Sequence, residues 1–181
     1  MKQLIIIISL FISSFASAQS ETNDFITYDT TLGNFNGNTW QARISRPANY
    51  FTPNHQDTAS RALIITMPGL GEANTNFAGL QLYGPHYWKN NGWNGSVVTG
   101  SGTHYPLLIT VKATVPNPRI GSAINMLNAL FAKFHPKANA RHFAGLSMGA
   151  FTFAGLINGQ LTGGGEDGMK LVTSLTLLQG A

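Results

Sequence analysis

The chain contains no cysteine among its 181 residues. That excludes disulfide bonds, lipidation of an N-terminal cysteine and thiolate metal ligation. Charge is scarce as well: 11 Lys and Arg stand against 7 Asp and Glu, for a formal net charge of +4. No Lys/Arg cluster is present, so the positive balance reflects missing acids and leaves nucleic-acid binding without a footprint. Repeats, heptads and acidic tails are absent too. The apolar run from Leu4 to Phe15 is too short to span a bilayer comfortably. With Lys2 before it and Ala16-Ser17-Ala18 after it, this run predicts a signal peptide over residues 1–18, cleaved after Ala18. Export to a periplasm or beyond follows, with no membrane attachment after cleavage. Residues 19–181 are enough for one domain with its own core.

The remaining pattern alternates strands with helices. Phe25 to Tyr28 and Thr39 to Ser45 flank an Asn/Gly-rich turn and predict a hairpin. Arg46 to Ser60 is a polar loop. Leu63–Met67, Leu107–Val111, His142–Leu146 and Leu171–Leu178 are unbroken apolar runs, the mark of strands buried on both faces. Ile120, Ala123, Ile124, Leu127, Leu130, Phe131 and Phe134 repeat at the 3.6-residue period and stop before Pro136. Pro118 is suited to start that helix, with Asn117 as its candidate cap. Phe151 to Ile157 predicts a further helix, as does part of Phe77 to Trp88. The implied class is α/β: a mainly parallel sheet with helices on both faces and an antiparallel hairpin at its N-terminal edge.

One short segment carries chemistry. Gly145-Leu146-Ser147-Met148-Gly149 follows an apolar strand and precedes a helical stretch, matching G-x-S-x-G. A serine on so sharp a turn lies in a strained backbone conformation, and side chains two residues away on either side would collide. The turn lifts the Ser147 hydroxyl clear of the sheet and leaves the Met148 N–H free to meet an oxyanion. The bland alternative is a glycine-lined turn between strand and helix. Against it stands a second element in the right order: Leu63–Met67 runs into Pro68-Gly69-Leu70-Gly71-Glu72, a glycine-rich loop placed to supply another oxyanion donor from Leu70 or Gly71.

From about Leu63 to the end of the chain, these residues resemble the α/β-hydrolase superfamily. Ile65 to Glu72 is similar to a segment of secreted esterases related to polyhydroxybutyrate depolymerases and carbohydrate esterases, with Pro68 where that segment usually carries histidine. The resemblance implies a serine hydrolase acting on small or polymeric carboxylic esters, with Ser147 as nucleophile and no cofactor or metal. It also implies an order of Ser, then acid, then His. No histidine follows Ser147, and the only later acids are Glu166 and Asp167. These precede the last strand and are expected at the sheet edge opposite Ser147. Residues 19–181 are therefore expected to be the N-terminal part of a longer hydrolase domain, incomplete in its fold and lacking the acid and histidine of the triad. A serine peptidase of the same fold, or a non-catalytic carbohydrate- or surface-binding protein on such a scaffold, are the alternatives.

Five histidines are present: His55, His86, His104, His135 and His142. Core packing suits His142 and helix-end solvation suits His135, while His86 and His104 lie in an aromatic segment that could approach the site. That segment, Tyr83 to Tyr105, includes Tyr87, Trp88 and Trp93. These form either an aromatic wall for substrate or anchors that tie the loop to the sheet.

Overall fold

An Asn-Gly pair sets the first turn of the described chain. The computed structural model describes residues 24–50, 61–74, 76–158 and 170–178; the expected signal peptide, His55, Glu166 and Asp167 lie outside these. β1 (Phe25–Phe35) and β2 (Asn38–Pro47) pair antiparallel around Asn36 and Gly37, whose φ values are 49° and 83°. Two successive positive φ values match the twist that a two-residue hairpin favours. Asn34 Oδ1 accepts the Gly37 N–H at 3.0 Å. The hairpin outruns the apolar residues that predicted it, because a bulge between Thr31 and Gly33 lets the polar stretch keep pairing.

β3 (Leu63–Met67), β6 (Leu107–Ala113), β7 (Arg141–Leu146) and β8 (Ser174–Leu178) complete a six-stranded sheet in the order β1-β2-β6-β3-β7-β8. The β6–β3, β3–β7 and β7–β8 pairs are parallel, while β2 meets β6 antiparallel. This is the mainly parallel α/β sheet with an antiparallel edge hairpin. Between β3 and β6 the chain also forms a small separate hairpin, β4 (Val97–Thr99) with β5 (Gly102–His104).

Strand alternation sorts the sheet into two chemically different faces. Trp40, Ile44, Ile65, Ile109 and Phe143 face α2 (Ile120–Phe134) and α3 (Met148–Asn158), forming one apolar core. The Phe143 ring lies 5.1 Å from that of Phe153 and 6.5 Å from that of Phe131. Trp40 Nε1 donates to Ser122 Oγ at 2.6 Å, locking sheet to α2. The opposite face is polar and is covered by α1 (Gly84–Asn90). There Thr66 and Thr110 share a hydroxyl hydrogen bond of 2.9 Å, and the buried His86 ring bridges Thr110 at 2.7 Å and Ser45 at 3.1 Å.

Three elements depart from the sequence pattern. The helix expected within Phe77 to Trp88 is broken into a 3-10 turn, Phe77–Gln81, and α1, because Gly84 has φ 67° and Pro85 begins the new helix. A side chain at Gly84 would strike Thr66, so close is α1 to the sheet. α2 takes Arg119, not Asn117, as its N-cap, with no side-chain cap bond; Asn117 sits at φ 50°. β8 starts at Ser174, three residues later than its apolar run suggests, since Lys170 and Leu171 are helical.

Burial pushes the His86 pKa down to about 3, Arg43 and Lys89 lowering it further against the opposing pull of Asp29. The folded state therefore holds a neutral imidazole, and the unfolded state binds the proton first as pH falls. Stability from this site is fully present above the ordinary histidine pKa near 6.5 and declines as pH drops from there towards 3. In thermal melts over that range, His86→Asn should show a shallower loss of melting temperature than the unsubstituted chain.

Candidate active site

β7 ends at Leu146, α3 begins at Met148, and Ser147 alone makes the turn between them. Its φ is 50°, a left-handed conformation that a serine adopts at a cost of about 1–3 kcal/mol unless its surroundings impose it. Those surroundings are visible. The Ser147 N–H donates to Leu178 O at 2.9 Å on β8, and Ser147 O accepts from Phe151 N at 3.0 Å in α3. A Cβ on Gly145 would lie 2.5 Å from Gly149 C and Ala150 N. A Cβ on Gly149 would run into the Met67 carbonyl oxygen and lie 2.8 Å from Pro68 O. Neither glycine has room for a side chain.

The glycine-rich loop stands beside this turn. Met67 pairs with Gly145 in the β3–β7 register, so the two strands release their next residues side by side at one sheet edge. A Cβ placed on Gly69 would sit 3.5 Å from Ser147 Cβ, an ordinary contact. Leu70–Glu72 then forms a single 3-10 turn. The N–H groups of Glu72 and Ala73 are spent on Gly69 O and Leu70 O. Among the described residues, no acceptor takes the N–H of Leu70, Gly71 or Met148. Ser147 itself is part-exposed. The arrangement offers a hydroxyl at the apex of a turn with unused amide donors on two neighbouring elements, which suits attack on a carbonyl and capture of its oxyanion.

A buried lysine, missed in the sequence, holds that loop. Lys112 is only 1% exposed and sits near the end of β6, on the polar face. Its Nζ donates to Asn74 Oδ1 at 2.9 Å and to Asn76 O. Burial lowers its pKa, and the nearby Glu72 carboxylate works in the opposite direction. The Glu72 carboxylate also raises the Tyr83 pKa, chiefly through its negative charge. The one signal in the sequence was a charge closing an apolar strand.

The four described histidines are placed elsewhere. Both ring nitrogens of His86 are held by Thr110 and Ser45. His104 Nε2 lies 3.0 Å from Ser101 Oγ in the β4–β5 hairpin, and His142 Nδ1 lies 2.8 Å from Ser174 Oγ. His135 closes α2 in a left-handed conformation. The structure does not bring the aromatic residues to Ser147 either. Trp88 is 56% exposed, packs edge-on to Trp93 at 6.2 Å, and shares an open surface hollow with it; Tyr87 is exposed beside them. Lys89 in the same turn of α1 stacks 4.0 Å over Phe25, and Phe25 meets Tyr105 just before β6. α1 therefore runs back from the Ser147 edge towards the opposite end of the parallel strands.

The steric requirement is open to direct test. Gly149→Ala should cost about 1–3 kcal/mol or more in urea denaturation, as overpacking against backbone does. Gly71→Ala, where nothing lies within 4 Å, should stay within about 0.5 kcal/mol.

No protein-family model matches the chain, and no curated protein matches it in sequence. Its backbone does match solved structures. Esterase Est22 superposes with a TM-score of 0.50 at 16% identity, over 84% of this chain and 44% of the other. A bacterial heroin esterase gives 0.50 at 11% identity, over 96% and 48%. A ferulic acid esterase gives 0.50 at 11% identity, over 76% and 56%. The chain spans about half the length of these structures. At such identities the likeness concerns architecture alone, and the architecture is the α/β-hydrolase fold.

Proposed function

We propose that the chain is the nucleophile-bearing part of a serine-dependent ester hydrolase. Ser147 Oγ attacks the ester carbonyl, the N–H of Met148 and that of Leu70 or Gly71 receive the oxyanion, and the alcohol departs with a proton. Water then releases the acid from the acyl-serine. The observation that supports this most is the positive φ of Ser147 on a turn whose flanking glycines exclude any side chain, next to a loop with unused amide donors.

The histidine that takes the hydroxyl proton, and the acid that orients it, come from outside these 181 residues. No histidine follows Ser147 in the sequence, and the described histidines bond to other partners or cap a helix. The protein is exported, on the strength of the Lys2, Leu4–Phe15 and Ala16-Ser17-Ala18 pattern. Its substrates are esters that occur outside the cell, including polymeric and carbohydrate-linked ones.

The test compares this chain with the protein extended by its downstream coding sequence, using p-nitrophenyl acetate. The extended protein should hydrolyse the ester and lose at least about 10³-fold in kcat on Ser147→Ala, while the 181-residue chain stays near background. Hydrolysis by the extended protein that is indifferent to Ser147→Ala overturns the nucleophile assignment. Efficient Ser147-dependent turnover by the 181-residue chain overturns the external base.

A further inference from the structure

A groove of about 820 Å³ opens beside the elbow between the β1–β2 turn, the β6–α2 connection and the first turns of α3. We propose that it is a subsite for an acidic ester arm, an apolar group ending in a carboxylate that Arg119 recognises. The inference rests on Ser147 being the nucleophile, since Met148, whose N–H would face the oxyanion, forms one wall of the groove. Ser147 does not itself line the groove; the contact between the two is through Met148, the next residue in the chain.

The lining has two chemical halves. On the α3 side, Phe151 is 69% exposed, a large ring left in water one turn beyond the nucleophile and flanked by Met148. Such a surface stabilises an apolar portion of ligand by removing both from water. Across the groove are Asn36, Asn117 and Arg119. Among the described residues of the lining, Arg119 is the only ionisable one. Among the described residues no carboxylate forms an ion pair with the Arg119 guanidinium. The stem of Arg119 is anchored: its backbone N–H donates to Asn38 Oδ1 at 2.9 Å, and the neighbouring Asn117 N–H contacts Met148 Sδ at 3.3 Å. A guanidinium on a fixed main chain, in a groove that two asparagines also line, suits the planar, bidentate geometry of a carboxylate. The lining offers no second cation of the kind that a doubly charged phosphate draws.

The experiment needs no turnover. 4-Phenylbutyrate and its neutral counterpart 4-phenylbutanol are titrated into the ¹⁵N-labelled chain at low salt, and the amide shifts of Asn36, Asn117, Gly121 and Phe151 are followed. The carboxylate should perturb these amides and bind about three- to five-fold more tightly than the alcohol, the scale of an exposed charge pair. Raising the salt to about 0.5 M should erode that preference. Arg119→Gln should abolish it, and Arg119→Lys should keep part of it. Equal affinities at low salt, a preference that survives Arg119→Gln, or shifts confined to another surface would each overturn the proposal. A carboxylate preference in a protein whose ester hydrolysis ignores Ser147→Ala would leave the groove as a binding site and remove only the hydrolase reading.

Discussion

The structure depends on the absence of two methyl groups. Without a Cβ at Gly149, the start of α3 can lie against the main chain of Met67 and Pro68; without one at Gly145, β7 can turn straight into α3. The parallel register that sets Met67 opposite Gly145 brings the two connections out level. From these contacts follow the left-handed backbone of Ser147, its exposure to solvent and the approach of the Gly69 loop. Strain at one residue is tolerated because helix, strand and loop all over-determine it.

The two faces of the sheet divide the remaining work. Beneath α2 and α3 the packing is apolar and aromatic, with Phe143 between Phe131 and Phe153, and this holds the strand and helix on either side of Ser147 together. Beneath α1 and the glycine-rich loop the contacts are polar and directional: threonine hydroxyls, the neutral His86 ring and the Lys112 ammonium. Hydrogen bonds tie down a loop that buries too little apolar surface to hold itself. Lys112 pays for its burial with bonds to Asn74 and Asn76 and the field of Glu72.

Features set by local sterics were legible in the sequence. The elbow could be read because glycine at 145 and 149 is a short-range requirement, the β1–β2 turn because Asn36-Gly37 prefers positive φ, and α2 because its apolar period is complete from Ile120 to Phe134. Features set by distant partners were not. The break at Gly84 answers to Thr66, eighteen residues away on β3, and the role of Lys112 depends on a loop that precedes it by more than thirty residues. The direction of α1 carried Trp88 and Trp93 away from the Ser147 edge, which composition could not disclose. The β4–β5 hairpin escaped notice because its strands are three residues long and mostly exposed.

The central claim is that the Ser147 hydroxyl is the atom that becomes acylated. Peptide mass spectrometry after treating the extended protein with an alkyl fluorophosphonate tests it most directly. The account expects a single phosphonyl adduct on the peptide containing Ser147, absent in Ser147→Ala. An ester-hydrolysing protein that carries its adduct on another residue would contradict it.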